Sequence, residues 1–367
     1  MADALHCLPE PTQRMTTQRI PPNRLALIDA IKAVASQLIV LHHLAFYGPM
    51  SDYAQTICPE TIAWLSQHAR IVVQAFLVMG GFLAAQALAR DGKLTDKPLL
   101  QLLQRRYVKL AVPYLIALLL AVAAAALARS LIAHDSIPEA PTVTQLLAHA
   151  LLLQSVLGFD GLSAGVWYVA IDFQLYALLL LMLWLVRRSL PGKPAAGLWC
   201  ALALIAASLF YFNRDASWDN WAVYFFGAYG LGAVTYWSTQ PKRISLWFAA
   251  IVAFAVAALW LDFRIRILVA LLVAVGLGIA RSTGIIESWP RTRLIAWLSD
   301  ISYSVFLVHF PVCLVVNAVF ERFAPHAPAI QLVGMLIAWF GSIGAGAILH
   351  HLVERPAFLL RGKVTPA

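Results

Sequence analysis

The sequence predicts an all-α fold of the polytopic membrane class, and two observations carry this prediction. The chain has 367 residues, of which 61% are hydrophobic and only 12% are charged, whereas soluble domains are about half apolar and about a quarter charged. The apolar residues are also gathered in blocks, most of them long enough to cross a bilayer core of about 30 Å. The connections between the blocks are short, so we expect a single membrane domain.

The order of these blocks sets the predicted topology. They lie at 26–46, 69–89, 108–128, 145–157, 166–186, 197–212, 220–238, 245–261, 265–280, 294–320 and 330–353. The block at 145–157 is short and contains His149, so we interpret it as a re-entrant or interfacial helix that does not span.

Leaving that block out places most Lys and Arg residues on one side of the membrane, which the positive-inside rule makes the cytoplasm. We therefore expect about ten transmembrane helices plus one short re-entrant or interfacial helix. The predicted domains are a cytoplasmic N-terminal segment 1–24, a membrane domain 25–356 and a cytoplasmic tail 357–367.

Charge and cysteine usage exclude several other classes. The net charge of +9 is explained by basic residues at one membrane face and requires no nucleic-acid partner. The first two dozen residues lack the apolar core of a signal peptide. The four cysteines have neither metal-ligand spacing nor a paired framework, so we expect reduced thiols and no metal site; they are Cys7, Cys58, Cys200 and Cys313.

Polar residues form a stripe along the first apolar block. Asp29, Lys32, Ser36 and His43 fall on one face of a helix with 3.6 residues per turn. Ionisable groups in hydrocarbon are costly and normally face the protein interior or a wet cavity. The stripe therefore predicts a polar path through the protein. His42 points about 100° away from His43, so we expect it to have a different role.

Further polar residues lie at matching depths in later blocks. Asp29 is roughly 21 Å from His43 along the first helix and cannot orient that imidazole. Asp172 is predicted near the outer end of its block, at the depth of His43, and a histidine with a carboxylate can take a proton from a hydroxyl. The other candidates that could line a chamber are Trp167, Tyr176, Ser302, Tyr303 and His309.

Basic residues gather at the predicted inner surface. Arg105, Arg106 and Lys109 open the third block beside Lys32. Arginine and lysine make charge-assisted contacts to phosphate groups, so this inner mouth could hold a polyanionic cytoplasmic ligand. A phosphate-bearing donor inside and a hydroxyl-bearing acceptor further out would use both ends of the path.

Each of these residues also has a structural interpretation, which the sequence leaves open. His43 and His309 can be packing histidines, and Asp29 and Lys32 can form an ion pair one helical turn apart. Asp172 can be a solvated carboxylate at a helix start. The basic residues can be anchors at the membrane surface.

Taken in order, the motifs resemble those of the acyltransferase-3 family of integral membrane acyltransferases. The matching elements are Asp29-Ala30-Ile31-Lys32 followed by His43, AFLVMGGFL from Ala75 to Leu83, RRYVKLAVPY from Arg105 to Tyr114, WYVAIDFQLY from Trp167 to Tyr176, ISYSVFLVHFPV from Ile301 to Val312, and Glu354-Arg355-Pro356. The chain departs from the family at four positions, with lysine for arginine at Lys32 and Lys109, Asp172 for glutamate and Gly80 for serine.

The resemblance implies an enzyme that moves an acyl group, most often acetyl from acetyl-CoA, to a hydroxyl of a sugar or glycan. In that interpretation His43 is the general base, and Asp172 either orients its imidazole or stabilises the imidazolium. Direct transfer and a covalent acyl-histidine intermediate both stay open at this point. The CoA phosphates would bind Lys32, Arg105, Arg106 and Lys109, and the chamber would be lined by Asp29, Trp167, Tyr176, Ser302, Tyr303 and His309. Acyl-CoA is then a substrate, with no permanently bound cofactor, and the expected location is the bacterial inner membrane.

Two other classes of function remain alternatives. A transporter or flippase for a sugar-lipid or an anion would also place charges within the membrane, and it would move its substrate without consuming acyl-CoA. A non-catalytic scaffold does not explain charges at mid-membrane depth. The acceptor, the acyl chain length and the oligomeric state are not encoded in these motifs.

Overall fold

The computed structural model describes residues 24–193 and 195–356, and most of these residues are helical. The helices are α1 Ala26–Phe46, α2 Met50–Ala54, α3 Pro59–His68, α4 Val73–Leu88, α5 Leu99–Leu131, α6 Val143–Ala150, α7 Val166–Ser189, α8 Ala196–Phe210, α9 Ala222–Ser238, α10 Leu246–Leu261, α11 Ile265–Thr283, α12 Ile285–Ser288, α13 Arg293–Phe323 and α14 Pro328–Leu349. A π-helical turn, His350–Glu354, follows α14. Strands β1 Thr239–Gln240 and β2 Arg243–Ile244 form a small antiparallel hairpin. The predicted all-α class is confirmed.

Eight helical segments in the described part of the chain are long and apolar enough to cross a membrane. They are Ala26–Phe46, Pro59–Leu88, Leu99–Leu131, Val166–Ser189, Ala196–Arg214, Ile265–Thr283, Arg293–Phe323 and Pro328–Glu354. The other two predicted spans are α9 and α10, with 17 and 16 residues. Because these two are about 25 Å long, the total of ten spans stays a prediction.

The short helix α6 corresponds to the block that was predicted not to span. It has 8 residues and is therefore about 12 Å long, too short to cross a bilayer core. Its His149 is fully buried, with Nδ1 2.8 Å from the Gln145 carbonyl and Nε2 accepting a hydrogen bond from the Leu162 N–H at 3.2 Å. This imidazole ties α6 to the loop that leads into α7, and burial lowers the pKa of His149.

Helices α4 and α9 pack with their backbones in contact, and two glycines make this possible. A Cβ on Gly81 would lie 2.7 Å from the Tyr229 carbonyl carbon, and a Cβ on Gly232 would lie 2.8 Å from the Val78 carbonyl carbon. Small residues at such crossings let helices approach closely and gain dispersion contacts. The close approach brings Tyr229 on α9 next to Gly80 on α4.

Helix α13 is the central packing element of the other half of the fold. It has 31 residues and lies against α14, α5 and α1. The residues from Val305 to Pro311 on α13 are all buried. Because α1 and α13 pack side by side, the polar stripe of α1 faces α13 inside the protein. That contact creates the site described next.

The three described cysteines are free thiols. Cys58 and Cys200 are half-buried and Cys313 is buried. Cys7 lies outside the described residues.

Candidate active site

Two histidines from different helices meet in the protein interior. His43 of α1 is 8% exposed and His309 of α13 is fully buried. His43 Nδ1 lies 2.6 Å from His309 Nε2. The ring planes are within 8° of parallel and the ring centroids are 4.8 Å apart. A centroid separation this much longer than the N–N distance means that the rings meet edge to edge, with the two nitrogens between them.

The backbone carbonyl of Phe306 accepts a hydrogen bond from His309, and this bond fixes the tautomers of both histidines. His309 Nδ1 lies 2.7 Å from the carbonyl oxygen of Phe306. A carbonyl oxygen can only accept, so Nδ1 of His309 carries the proton and Nε2 of His309 accepts. Nδ1 of His43 is then the donor, and the lone pair of His43 is left on Nε2. The geometry therefore selects one tautomer of His43, the one whose Nε2 can take a proton.

The structure gives Asp172 a different partner from the one expected. Asp172 is 6% exposed and its carboxylate forms an ion pair with Arg106 of α5; His43 instead bonds His309. The expectation that Asp172 orients His43 is therefore not met by the hydrogen bonds of the structure. The 33-residue helix α5 carries Arg106 about 10 Å in from its first residue, deep enough to reach the carboxylate on α7.

Aromatic residues and a glycine surround this ion pair. The Arg106 guanidinium lies over the Tyr176 ring, 5.1 Å from its centroid. A Cβ built on Gly80 would lie 3.5 Å from Asp172 Oδ1 and 3.1 Å from Tyr229 Cε2. Gly80 therefore borders the carboxylate directly, at the position where the family pattern has serine. Tyr229 was missed in the sequence; the small-residue spacing of its helix, with glycines on both sides, was the available signal.

The basic residues divide into two groups at the end of the bundle where α1, α5 and α13 begin, here called the basic end. Asp29 accepts hydrogen bonds from Arg24 Nε at 2.7 Å and from Ser299 Oγ at 2.7 Å. The alternative interpretation, an ion pair between Asp29 and Lys32, does not hold, because Asp29 pairs with Arg24. Arg24 also bonds Asp300 at 2.8 Å. The hydrogen bond to Asp29 is the largest reason why the pKa of Arg24 is raised.

The second group consists of cations without a carboxylate partner. Lys32 and Arg105 are half-buried and Lys109 is exposed. Within residues 24–193 and 195–356, none of these three forms an ion pair or donates a side-chain hydrogen bond. Lys109 lies within electrostatic range of Lys32 and Arg106. These side chains remain available for an anionic ligand, whereas Arg106 is occupied by Asp172.

The remaining candidates have local structural contacts. The Trp167 ring stacks on Phe225 with centroids 5.7 Å apart. Tyr303 donates to the Leu110 carbonyl at 2.9 Å, which joins α13 to α5. Ser302 donates to Ser299 of its own helix. His42 lies 2.9 Å from the Leu65 carbonyl through Nδ1 and takes no part in the histidine chain, in keeping with its different direction on α1.

Comparison with known proteins adds the class of reaction. A family model described as an acyltransferase domain matches residues 25–349, which is most of the chain. The chain belongs to the acyltransferase-3 family. Neither curated proteins nor solved structures yield a match. The match contains both histidines, the Arg106–Asp172 pair and the free cations of the basic end.

Family membership identifies the protein as a membrane acyltransferase of the O-acyltransferase type. No group of three or more His, Cys, Asp or Glu side chains among the described residues is placed to hold a metal ion. The geometry offers an imidazole base, a neutral ion pair and an unpaired basic cluster. These are the parts from which a mechanism can be built.

Proposed function

We propose that this protein transfers an acyl group, most simply acetyl, from cytoplasmic acyl-CoA to a hydroxyl group of a sugar or glycan acceptor, with His43 as the general base. The hydrogen-bonded chain His43–His309–Phe306 carries the proposal. It presents a neutral imidazole whose Nε2 lone pair is oriented by two buried hydrogen bonds. A positioned base of this kind contributes about 10²- to 10⁴-fold to a rate.

The chemistry follows from that lone pair. His43 Nε2 accepts the proton of the acceptor hydroxyl while the hydroxyl oxygen attacks the thioester carbonyl carbon. The tetrahedral intermediate then collapses, the C–S bond breaks, and the imidazolium returns its proton to the departing CoA sulfur. The neutral Nε2 of His309 accepts a hydrogen bond from the His43 imidazolium, and hydrogen bonds from charged donors are the stronger ones. His309 therefore stabilises the charge that forms on His43.

The donor would enter from the basic end. Lys32, Arg105 and Lys109 are cations there that have no ion-pair partner among residues 24–193 and 195–356, and phosphate groups are the ligands that such cations favour. Lys32 and His43 are on one helix, separated by a rise of about 16 Å, a gap that an extended pantetheine arm would bridge. In this arrangement the nucleotide stays at the basic end while the thioester reaches the histidine pair.

The acceptor would approach from the opposite end of the bundle. The basic loops favour a cytoplasmic position for the basic end and for both termini in a bacterial inner membrane. The acceptor side would then face away from the cytoplasm. Modification of a glycan or a lipid-linked sugar fits such an arrangement, because the acyl donor and the acceptor enter from different sides.

Purified protein in nanodiscs, supplied with acetyl-labelled acetyl-CoA, tests the proposal through CoA release and label transfer to candidate sugars. His43→Ala should abolish transfer while CoA binding is retained. His42→Ala, a control at the preceding residue, should keep the turnover rate of the wild type. Full activity of the His43 variant would refute the assignment, and solute movement in proteoliposomes without CoA release would favour the transporter alternative.

A further inference from the structure

An exposed arginine lies in a membrane-spanning segment near the histidine pair. Arg70 belongs to a single 3₁₀ turn, Ala69–Val72, that joins α3 to α4 within the span Pro59–Leu88. Within residues 24–193 and 195–356 its side chain forms no ion pair and donates no hydrogen bond. An ionisable side chain in such a segment is costly and indicates a functional role.

Helix lengths place Arg70 level with His43. His43 is 17 residues from Ala26, where α1 begins at the basic end, a rise of about 26 Å. Arg70 is 18 residues from Leu88, where α4 ends before the chain turns into α5, which corresponds to about 27 Å. Because a bilayer core is about 30 Å thick, both side chains lie near its far side, opposite the basic end.

Contacts between helices hold the turn beside α1. The 3₁₀ turn packs on α1, and Nδ1 of His42 lies 2.9 Å from the Leu65 carbonyl oxygen of α3. Ala69 and Val73, on either side of Arg70, are buried. The backbone of Arg70 is therefore fixed by packing, while its side chain is exposed.

Arg70 is close to the side chains that an acceptor would meet on its way to the base. It is within electrostatic range of His43 and of Tyr47. Tyr47 follows His43 by one helical turn, with the two ring centroids 5.5 Å apart, and is half-buried. An acceptor that enters from the end opposite the donor cations and reaches His43 Nε2 would pass Arg70.

The charge of Arg70 determines which acceptor it favours. A guanidinium presents a planar set of N–H donors that matches the oxygens of a carboxylate or a phosphate. A neutral sugar would offer this cation no opposite charge. An acceptor with an anionic group close to the reacting hydroxyl would place the anion at Arg70 and the hydroxyl at His43.

We propose that Arg70 binds an anionic group of the acceptor, a carboxylate or a phosphate, and thereby makes the enzyme selective for acidic sugars. This inference rests on the proposed function, because it takes His43 as the base and a sugar hydroxyl as the nucleophile. It adds a specificity-determining residue on the acceptor side. The two substrates are then held by separate basic groups at opposite ends of the bundle.

Acyl transfer to three matched acceptors tests this inference with the full chain in nanodiscs. Methyl glucoside, methyl glucuronide and methyl glucoside 6-phosphate share one ring and differ only in the group at C6, which is neutral, a carboxylate or a phosphate. The wild-type protein should have a higher kcat/KM for an anionic acceptor than for methyl glucoside. Arg70→Gln should reduce this preference by about 10- to 150-fold, the effect of losing a hydrogen bond between charged groups.

Arg322→Gln is the matched control. Arg322 is an exposed arginine at the same end of the bundle, 13 residues beyond His309 on α13 and therefore about 20 Å from it. This variant should keep the wild-type preference. A preference that survives in Arg70→Gln, or that both arginine variants lose equally, would overturn the inference.

Two further outcomes separate this inference from the proposed function. If methyl glucoside is the best acceptor, or if a protein that binds CoA acylates none of the three, the anionic acceptor is refuted and the proposed function stands. A wild-type protein that does not bind CoA would overturn the proposed function, and this inference with it.

Discussion

Replacement of His309 by leucine isolates the contribution of the histidine chain. His309 is fully buried and lies 2.6 Å from Nδ1 of His43, so it acts on the reaction only through His43. Leucine fills a similar volume but cannot accept a hydrogen bond. The Nδ1–H of His43 then either stays buried without a partner or moves to Nε2, which removes the lone pair that faces the acceptor.

The size of the effect follows from the lost hydrogen bond. An unsatisfied buried donor costs about 1–3 kcal/mol, and each 1.36 kcal/mol in a barrier is a factor of ten in rate. His309→Leu should therefore lower kcat by about 5- to 150-fold. The KM for acyl-CoA should change little if substrate dissociation is fast, since the described contacts of His309 are to His43 and to its own helix.

The assay is CoA release under saturating acceptor, with kcat and KM measured separately. His309→Gln should recover most of the activity, because its amide oxygen can accept from His43. His42→Leu removes the contact to the Leu65 carbonyl and should lower stability but not kcat. A kcat for His309→Leu equal to that of the wild type, or a glutamine variant no better than leucine, would refute the tautomer argument.

Three further predictions concern the scaffold of the site. Gly232→Ala should lower the free energy of unfolding by about 1–3 kcal/mol because its Cβ overlaps the α4 backbone; Gly276→Ala, in open space on α11, should be neutral or stabilising in the same thermal-shift assay. Asp172→Asn should destabilise by about 3 kcal/mol, since it leaves the buried Arg106 cation uncompensated, and a second change, Arg106→Gln, should restore part of the loss in urea unfolding. Because burial lowers the pKa of His149 below 6.5 in the folded state, the unfolded chain binds more protons at acid pH. Melting temperature should fall as pH drops below about 6.5, and by less in His149→Gln; parallel pH profiles would contradict this.

The class of protein, and a histidine that faces another helix in the protein interior, could be predicted from the sequence. Apolar block length and charge distribution are local properties, and a bilayer imposes them on any spanning helix. The polar stripe of α1 also depends only on helical periodicity, so His43 could be singled out against its neighbour His42. Helix α6 was predicted not to span the membrane because its apolar block is short, which is also a local property of the sequence.

The partners of the polar residues could not be predicted in this way. Depth along a helix placed Asp172 level with His43, but pairing also depends on which helices are neighbours and on how each is rotated. The long helix α5 brings Arg106 to Asp172, and α13 brings His309 to His43. Arg24 precedes the first apolar block and lies outside its helical pattern, yet its side chain donates a hydrogen bond to Asp29.

The sequence by itself therefore determined a helical membrane protein with an acyltransferase motif set and an imidazole inside the bundle. Only the tertiary structure decided that a second histidine fixes the tautomer of the first, and that the arginine of the basic motif is neutralised by the carboxylate. Periodicity acts within one helix, whereas a hydrogen bond between helices requires their packing to be known. The backbone contact at Gly81 and Gly232 shows how a few small residues set that packing, and with it the chemistry of the site.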